Sequence, residues 1–433
     1  MPEIVQLTHC LKRYFPKNFS TFVAILEAML CMSGSKTMLN VSRWTDVSYK
    51  ALERFYDRAI PWLELNWILI RNVAPLHEFI LASDETVVQK SGKHTHGLNS
   101  FFSSTLGKPI KSVCFSGLSV IHPQKKRSYP LLLSQLVLSA EEKERAKALK
   151  DHKRSAKGKP VGRPKGSKNS PTKSKPLAPT FRVLNEQLSQ AQQVLSSGIQ
   201  YFVGDGKYGN QSAVGVCREF GYDLISKLQY NSALYFPSTE VYHGKGRPKR
   251  YGKRVDSGLI PDEYLVRQET DTHGITRIYH LPHVLNASFD VPLNVVIIQK
   301  QLSHKVAQVI LFSTDLGLDS QTIIDFYSSR FQIEFNFRDA KQFWGLDDFM
   351  NVKAIRVHNA ANVAFFMTTF STRLLERVRN QRQNPKMGIR DLMALCRADR
   401  YYHETLKCLR IFNPHCLIPN TDVPITSLGA IHL

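Results

Sequence analysis

The stretch Asp319–Gly345, DSQTIIDFYSSRFQIEFNFRDAKQFWG, decides how the rest of the chain is read. It has no internal Gly or Pro, Asp319 stands where an N-cap belongs, and Gly345 stands where a glycine ends a helix. The spacing predicts one long helix. At about 100° per residue, Tyr327, Arg330, Glu334 and Lys341 fall at roughly 0°, 300°, 340° and 320°, a wedge of about 60°. Phe331 and Phe335 flank that wedge on one side, Phe326 and Phe337 on the other. A solvated face usually mixes charges opposite an apolar stripe. A charged line between aromatic flanks fits a half-buried helix that offers polar groups to a cleft. A salt-bridged surface helix is the plainer alternative.

Two further acids gain meaning beside that helix. In EFILASDETVV an apolar run leads to Asp84, and in IQYFVGDGKYGN the run Gln200–Val203 leads to Asp205, flanked by Gly204 and Gly206. Both read as acids at the exits of buried strands. Either one alone also reads as a turn former or helix cap. At adjacent strand ends facing Glu334 on a packed helix, they would make an oxygen-rich cage. Three carboxylates in one cleft repel one another unless cations neutralise them, and the donor type suits two hard divalent ions, Mg²⁺ or Mn²⁺. Such a pair activates a water or a 3′-hydroxyl and stabilises the leaving oxygen of a phosphodiester. Glu85, next in sequence, competes with Asp84 for the first position.

Composition points to the same class of partner. Of 433 residues, 42% are hydrophobic and 10% aromatic, a globular balance, and the net charge is +22. Half of that excess lies between Lys143 and Lys175, where thirteen Lys and Arg face two acids. The expected partner is a polyanion, with nucleic acid before anionic membrane. No apolar run reaches the roughly 18 residues of a spanning helix, and MPEIVQLTHC has no secretory pattern. The seven scattered cysteines include no C-x-x-C pair and read as reduced core thiols. These features predict a cytoplasmic, nucleoid-associated protein that does not enter membranes.

The chain divides on composition and periodicity. Residues 1–75 read as helical, with a helix over Leu39–Trp44, a turn at Thr45–Asp46 and a helix over Ser48–Arg58. This helix-turn-helix candidate offers Tyr49, Lys50 and Arg54 to a DNA groove; a plain helical bundle is the alternative. Residues 76–229 read as a first core part: strands through Asp84, Ile110–Ile121 and Ser128–Leu138, a disordered basic linker at 143–177, a helix over Thr180–Ser197, then β-α-β around Asp205. Residues 230–290 read as a β-rich insertion. Residues 291–350 hold a hairpin of strands and the Glu334 helix. Residues 351–433 read as helical, with a long helix over Val357–Arg379 and separate ones over Ile389–Arg397 and Tyr401–Ile411. Gly-Arg-Pro-Lys occurs twice, at Gly162–Lys165 and Gly246–Lys249, so Arg163, Lys165, Arg247 and Lys249 are candidate DNA-binding residues by minor-groove or phosphate contact.

Tyr327-x₂-Arg330-x₃-Glu334-x₆-Lys341 resembles the Y-R-E-K signature of a group of bacterial insertion-sequence transposases with the DDE, RNase H-like catalytic fold. SDET at Asp84, GDGKYGN at Asp205 and the β-rich insertion resemble that group's other features, over roughly residues 77–345. The resemblance implies an α/β fold: an RNase H-like mixed sheet flanked by helices, with helical N- and C-terminal regions. It implies that Asp84, Asp205 and Glu334 are catalytic and hold two Mg²⁺ (or Mn²⁺) ions, and that Tyr327, Arg330 and Lys341 hold DNA phosphates. It further implies cleavage at terminal inverted repeats, transfer of the 3′ ends into target DNA, and a homodimer in the synaptic complex. Its pattern favours Asp84 over Glu85. Some members stack a flipped base on a tryptophan in the insertion. Here Trp44, Trp62, Trp67 and Trp344 all lie outside it, leaving Tyr264 or Tyr279 for that part. Two rival readings are an RNase H-like nuclease that cuts without joining and a catalytically inactive DNA-binding relative.

Overall fold

The computed structural model describes residues 2–155, 176–195, 197–241, 244, 248–256, 258–272, 274–302 and 306–412. The N-terminal helices are α1 (Pro2–His9), α2 (Phe19–Cys31), α3 (Met38–Arg43), α4 (Tyr49–Tyr56) and α5 (Trp62–Ile70). Strands β1 (Ile80–Gln89), β2 (Asn99–Ser103), β3 (Lys108–His122) and β4 (Arg127–Gln135) follow, then α6 (Ala140–Ser155) and α7 (Pro179–Val194). Next come β5 (Tyr201–Val203), α8 (Gln211–Glu219) and β6 (Asp223–Leu228). The chain continues through β7 (Leu234–Pro237), β8 (Tyr251–Arg254), β9 (Leu265–Asp271), β10 (Gly274–Asn286), β11 (Leu293–Gln301) and β12 (Val306–Ser313). It closes with α9 (Ser320–Ser329), α10 (Gln332–Gln342), α11 (Ala354–Arg382) and α12 (Ile389–Phe412).

The centre of the sheet runs β4-β3-β1-β5-β6, antiparallel from β4 to β1 and parallel from β1 to β6. This is an RNase H-like arrangement in a mixed sheet with helices on both faces: α7 lies against β3 and β4, and α10 lies against β1, β3 and β4. The region predicted as a β-rich insertion does not stand apart. Its longest strand, β10, pairs with β11, so the sheet extends from β6 through β12, β11 and β10 to β7 and β8. Neither tyrosine proposed there for base stacking is free: Tyr279 is 7% exposed, and the Tyr264 ring stacks 5.3 Å from Phe236.

Strand β4 would leave an open edge, and the helices close it. Leu133 N donates to Asn362 Oδ1 at 2.8 Å and Asn362 Nδ2 donates to Leu133 O at 2.8 Å, so one α11 side chain takes the place of a neighbouring strand. Asn66 Nδ2 on α5 donates to Leu131 O at 2.9 Å, and Thr369 Oγ1 to Pro130 O at 3.3 Å. Between these polar contacts α11 buries Phe365, Phe366 and Phe370; Phe366 lies 5.6 Å from Phe22 and 5.9 Å from Trp62. One continuous core therefore joins N-terminal helices, sheet and α11.

Several local expectations are corrected. The helix predicted over Asp319–Gly345 is two helices, with a tight turn at Arg330–Phe331. There the hydrogen bonds shift to i→i−3, Arg330 N to Tyr327 O at 3.2 Å and Phe331 N to Ser328 O at 3.3 Å. Ser329 Oγ donates back to Phe326 O at 2.8 Å, a bond that bends helices. The linker predicted as disordered over 143–177 begins as helix α6. Its start is a reciprocal capping box, Ser139 N to Glu142 Oε2 at 2.7 Å and Glu142 N to Ser139 Oγ at 3.1 Å. Residues 156–175, with Arg163 and Lys165, lie outside the described residues, as does Arg247. The two C-terminal helices predicted after α11 form one, α12.

Candidate active site

Asp84 lies in the middle of β1, not at its end as the sequence suggested, directly across from Gly117 on β3. The strand exit is still real in one respect. The parallel pairing of β1 with β5 stops at Ala82–Val203, so Asp84 lies just past the last shared rung, beside the loop that carries Asp205. Side chains alternate along β1. Asp84 faces α10, whereas Ser83 and Glu85 face α7.

Asp84 meets the break between α9 and α10. Arg330 Nη1 donates to its Oδ2 at 3.0 Å, and Arg330 Nη2 lies 3.7 Å from Glu334 Oε1. Burial pushes the Asp84 carboxyl up to about 6; the Glu85 amide and Arg330 oppose the rise, while the negative charges of Asp205 and Glu334 add to it. Asp205 of the β5 loop and Glu334 of α10 thus both act electrostatically on Asp84 of β1. Tyr327 stands beside them, its ring centroid 6.0 Å from the Arg330 guanidinium and its phenol raised by burial. Lys341 is turned elsewhere: its Nζ donates to Val87 O at 2.7 Å and lies 3.9 Å from Asp347, so it ties α10 to β1 and does not face the acids.

Helix α10 reaches this position because Gly117 lacks a side chain. A Cβ there would stand 2.6 Å from the Phe337 ring, and Phe337 in turn stacks on Phe365 of α11. Asn336 Nδ2 fixes the same helix through Ser119 Oγ at 3.1 Å and Ser128 Oγ at 2.7 Å. A glycine inside the apolar run VCFSGLSVI is the one sequence signal of such a close approach.

The GDGKYG segment is explained residue by residue. Gly204 admits the Tyr208 ring, since a Cβ there would be 2.4 Å from Tyr208 Cγ, and Gly209 passes Lys227 O equally closely. Asp205 caps the 3-10 turn Gly206–Tyr208, its Oδ1 accepting from Lys207 N at 3.0 Å. Lys207 Nζ reaches Glu85 Oε1 at 2.6 Å, and Thr180 Oγ1 of α7 donates to the same oxygen at 2.7 Å. Buried Tyr208 continues through Ser83 Oγ at 3.1 Å to Ser116 Oγ, 3.1 Å further on, and then to Gln187. Glu85 stood in the sequence as a rival for the first acid and is instead held by Lys207 and Thr180; Lys207 and this buried chain were not singled out. Their roles depend on partners far apart along the chain.

The remaining sequence candidates lie elsewhere. Tyr49, Lys50 and Arg54 are all exposed on α4, which follows α3 across a short turn; Thr37 and Ser48 cap the two helices. Lys249 pairs with Glu240. Among the described residues no three His, Cys, Asp or Glu side chains stand close enough together to hold a metal ion, and no helix is long and apolar enough to cross a membrane. The acid site nonetheless has the donor chemistry for a hard cation. It offers carboxylate oxygens from three separate elements, one of them with its carboxyl raised by burial, and a guanidinium lies between two of them.

The sequence matches the family described as DDE superfamily endonuclease over residues 8–278, well over half of the chain, and the chain belongs to that family. The matched region holds Asp84 and Asp205 and ends before β11, so Glu334 lies beyond it. Endonucleases of this superfamily act on DNA and generally use divalent metal ions. No curated protein matches the chain.

Proposed function

We propose that this DDE superfamily endonuclease is the transposase of an insertion sequence, cutting DNA at its element's terminal inverted repeats and joining the 3′ ends to target DNA. The observation that carries the reading is Asp84. It is an acid whose carboxyl is raised to about 6, chiefly by burial and to a lesser degree by the negative charges of Asp205 and Glu334, against the opposing Glu85 amide and Arg330. In this reading Asp84, Asp205 and Glu334 hold two Mg²⁺ or Mn²⁺ ions. When bound, these activate a water or 3′-hydroxyl and stabilise the leaving oxygen. Arg330 and Tyr327 border the acids and position a backbone phosphate, while Lys341 keeps α10 registered on β1. Gly117, Asn336 and the Glu85–Lys207 pair hold the three acid-bearing elements together.

Exposed Tyr49, Lys50 and Arg54 on α4, together with Arg163, Lys165, Arg247 and Lys249 in the basic segments, bind the duplex. With about six phosphate contacts, log affinity falls against log salt with a slope of roughly −5. Pairing of two element ends requires a homodimer during catalysis, and nucleoid association follows from DNA affinity. The test is purified protein with Mg²⁺ or Mn²⁺ on DNA bearing its element's ends. Asp84→Asn, Asp205→Asn and Glu334→Gln should each abolish cleavage and keep DNA binding; a Glu334→Gln enzyme that cuts normally refutes the assignment. The family match fits equally a nuclease that cuts without joining. Pre-cut ends separate the two, because only a transposase joins them to a second duplex. Absence of any metal-dependent cutting would support the inactive DNA-binding relative.

A further inference from the structure

We infer that Arg330 is the resident counter-cation of the acid site, and that its release couples divalent-cation binding to DNA binding. This rests on the nuclease reading above and goes beyond it, since it assigns the same side chain two successive partners.

The guanidinium has five donors in a fixed fork and is 15% exposed. It makes one short contact, to Asp84, one long contact, to Glu334, and a further one with the Tyr327 phenol, while its Nε is buried with no hydrogen-bond partner. An arginine retained only for an ion pair would spend the fork bidentately on one carboxylate. This one instead lies between two acids, in the gap where the carboxylates would have to share a cation, and satisfies neither fully. Its side chain, not its backbone, is what can change partners. Helix α10 is held by Phe337 over Gly117, by Asn336 and by Lys341. Arg330, in the two-residue break before it, is joined to it through Ile333 N, which donates to the Arg330 carbonyl at 3.0 Å, so exchange of partners is left to the torsions of the long side chain. Phe331, the other residue of the break, is 49% exposed.

Cation and guanidinium compete for the same oxygens, and like charges repel at this range. Loading the acids therefore frees Arg330 for a new anionic partner. A DNA phosphate offers the planar pair of acceptors that the fork lacks at present. Before loading, the same acids repel phosphate and retain Arg330. Each ligand therefore favours the other, and the coupling is reciprocal.

The experiment measures binding, not turnover. Ca²⁺ affinity is read by titration calorimetry, and the affinity for a labelled 30-bp duplex by fluorescence anisotropy, each with and without the other ligand. In the wild-type protein the duplex should bind about tenfold tighter at saturating Ca²⁺, within the usual 5–150-fold range of coupled sites. Without DNA, Arg330→Gln should bind Ca²⁺ at least about threefold tighter than wild type and lose most of the coupling. Arg330→Lys, which keeps the charge without the fork, should retain wild-type Ca²⁺ affinity and bind the duplex more weakly. Equal duplex affinity with and without Ca²⁺ in the wild-type protein overturns the inference, and that measurement needs no variant to fold. So does an Arg330→Gln protein that binds Ca²⁺ no more tightly. Both results leave the nuclease reading intact provided Asp84→Asn abolishes Ca²⁺ binding. If wild type and Asp84→Asn both fail to bind Ca²⁺, the nuclease reading fails and takes the inference with it.

Discussion

Asp84 and Glu85 are adjacent acids on one strand with opposite surroundings. Glu85 points to the α7 face, where Lys207 and Thr180 both donate to one of its oxygens. Asp84 points to the α10 face, where one shared guanidinium meets it and burial holds its carboxyl up near 6. The difference shows how a single strand serves two purposes. Glu85 ties the β5 loop to β1, whereas Asp84, its oxygens held by the Glu85 amide at 2.7 Å and by Arg330 at 3.0 Å, has as its ion-pair partner a cation that it shares with Glu334.

The largest expected effect tests that division directly. Asp84→Asn should lower metal-dependent cleavage by about 10³-fold, the scale of losing a charged group that acts on the reacting centre. Glu85→Gln should cost only about tenfold, as a supporting residue does. Comparable losses in a quantitative cleavage assay would erase the distinction between the two faces. Next in size, Gly117→Val should lift α10 away from Asp84, destabilising the fold by about 1–3 kcal/mol through overpacking and reducing cleavage. Thermal unfolding measured alongside activity checks both, and an unchanged melting temperature would mean Phe337 has room to retreat.

A pH experiment isolates the Asp84 face without any substrate. The folded Asp84 holds its proton up to about 6, above its ordinary value, so the native state binds that proton more tightly than the unfolded chain. This contribution to stability is present in full below about pH 4 and is lost as pH rises through 6. Urea midpoints in chelator should therefore fall between pH 4 and 6.5 by more in wild type than in Asp84→Asn; parallel curves would mean that Asp84 is solvated. The smallest effect belongs to Asn336→Ala, which removes two hydrogen bonds beneath α10 and should cost about 1 kcal/mol in a denaturant titration.

How much was legible in the sequence depended on whether the cause was local. The mixed sheet, the placement of Asp84 and Asp205 near one another, and the helical bracket around the sheet follow from periodicity and from fixed spacings within short segments. The α9–α10 break does not, because it comes from Arg330 reaching a carboxylate 246 residues earlier and from a serine bonding back to its own turn. Asp84 was expected at a strand end because the apolar run stops there. The strand continues because β3 pairs with it to Gln89. The start of the basic segment read as disordered because it lacks apolar residues, yet a capping box and good helix formers suffice for α6. Lys341 has the spacing of a phosphate holder but is occupied by Val87 O, a partner that no pattern within the helix announces.

The ion pairs of Arg356 have a consequence of a different kind. From the start of α11, Arg356 grips Asp57 through two bonds of 2.7 Å and also reaches Glu53, both at the back of α4. Further along the same helix, Phe365 supports Phe337 of α10. The helix with the exposed Tyr49, Lys50 and Arg54 and the helix that carries Glu334 are thus mounted on one rigid rod. A duplex seated on α4 would meet the acids at a fixed distance along its axis, so the number of base pairs between a recognised sequence and a cut bond would be set by the stretch of α11 between Arg356 and Phe365, as by a ruler.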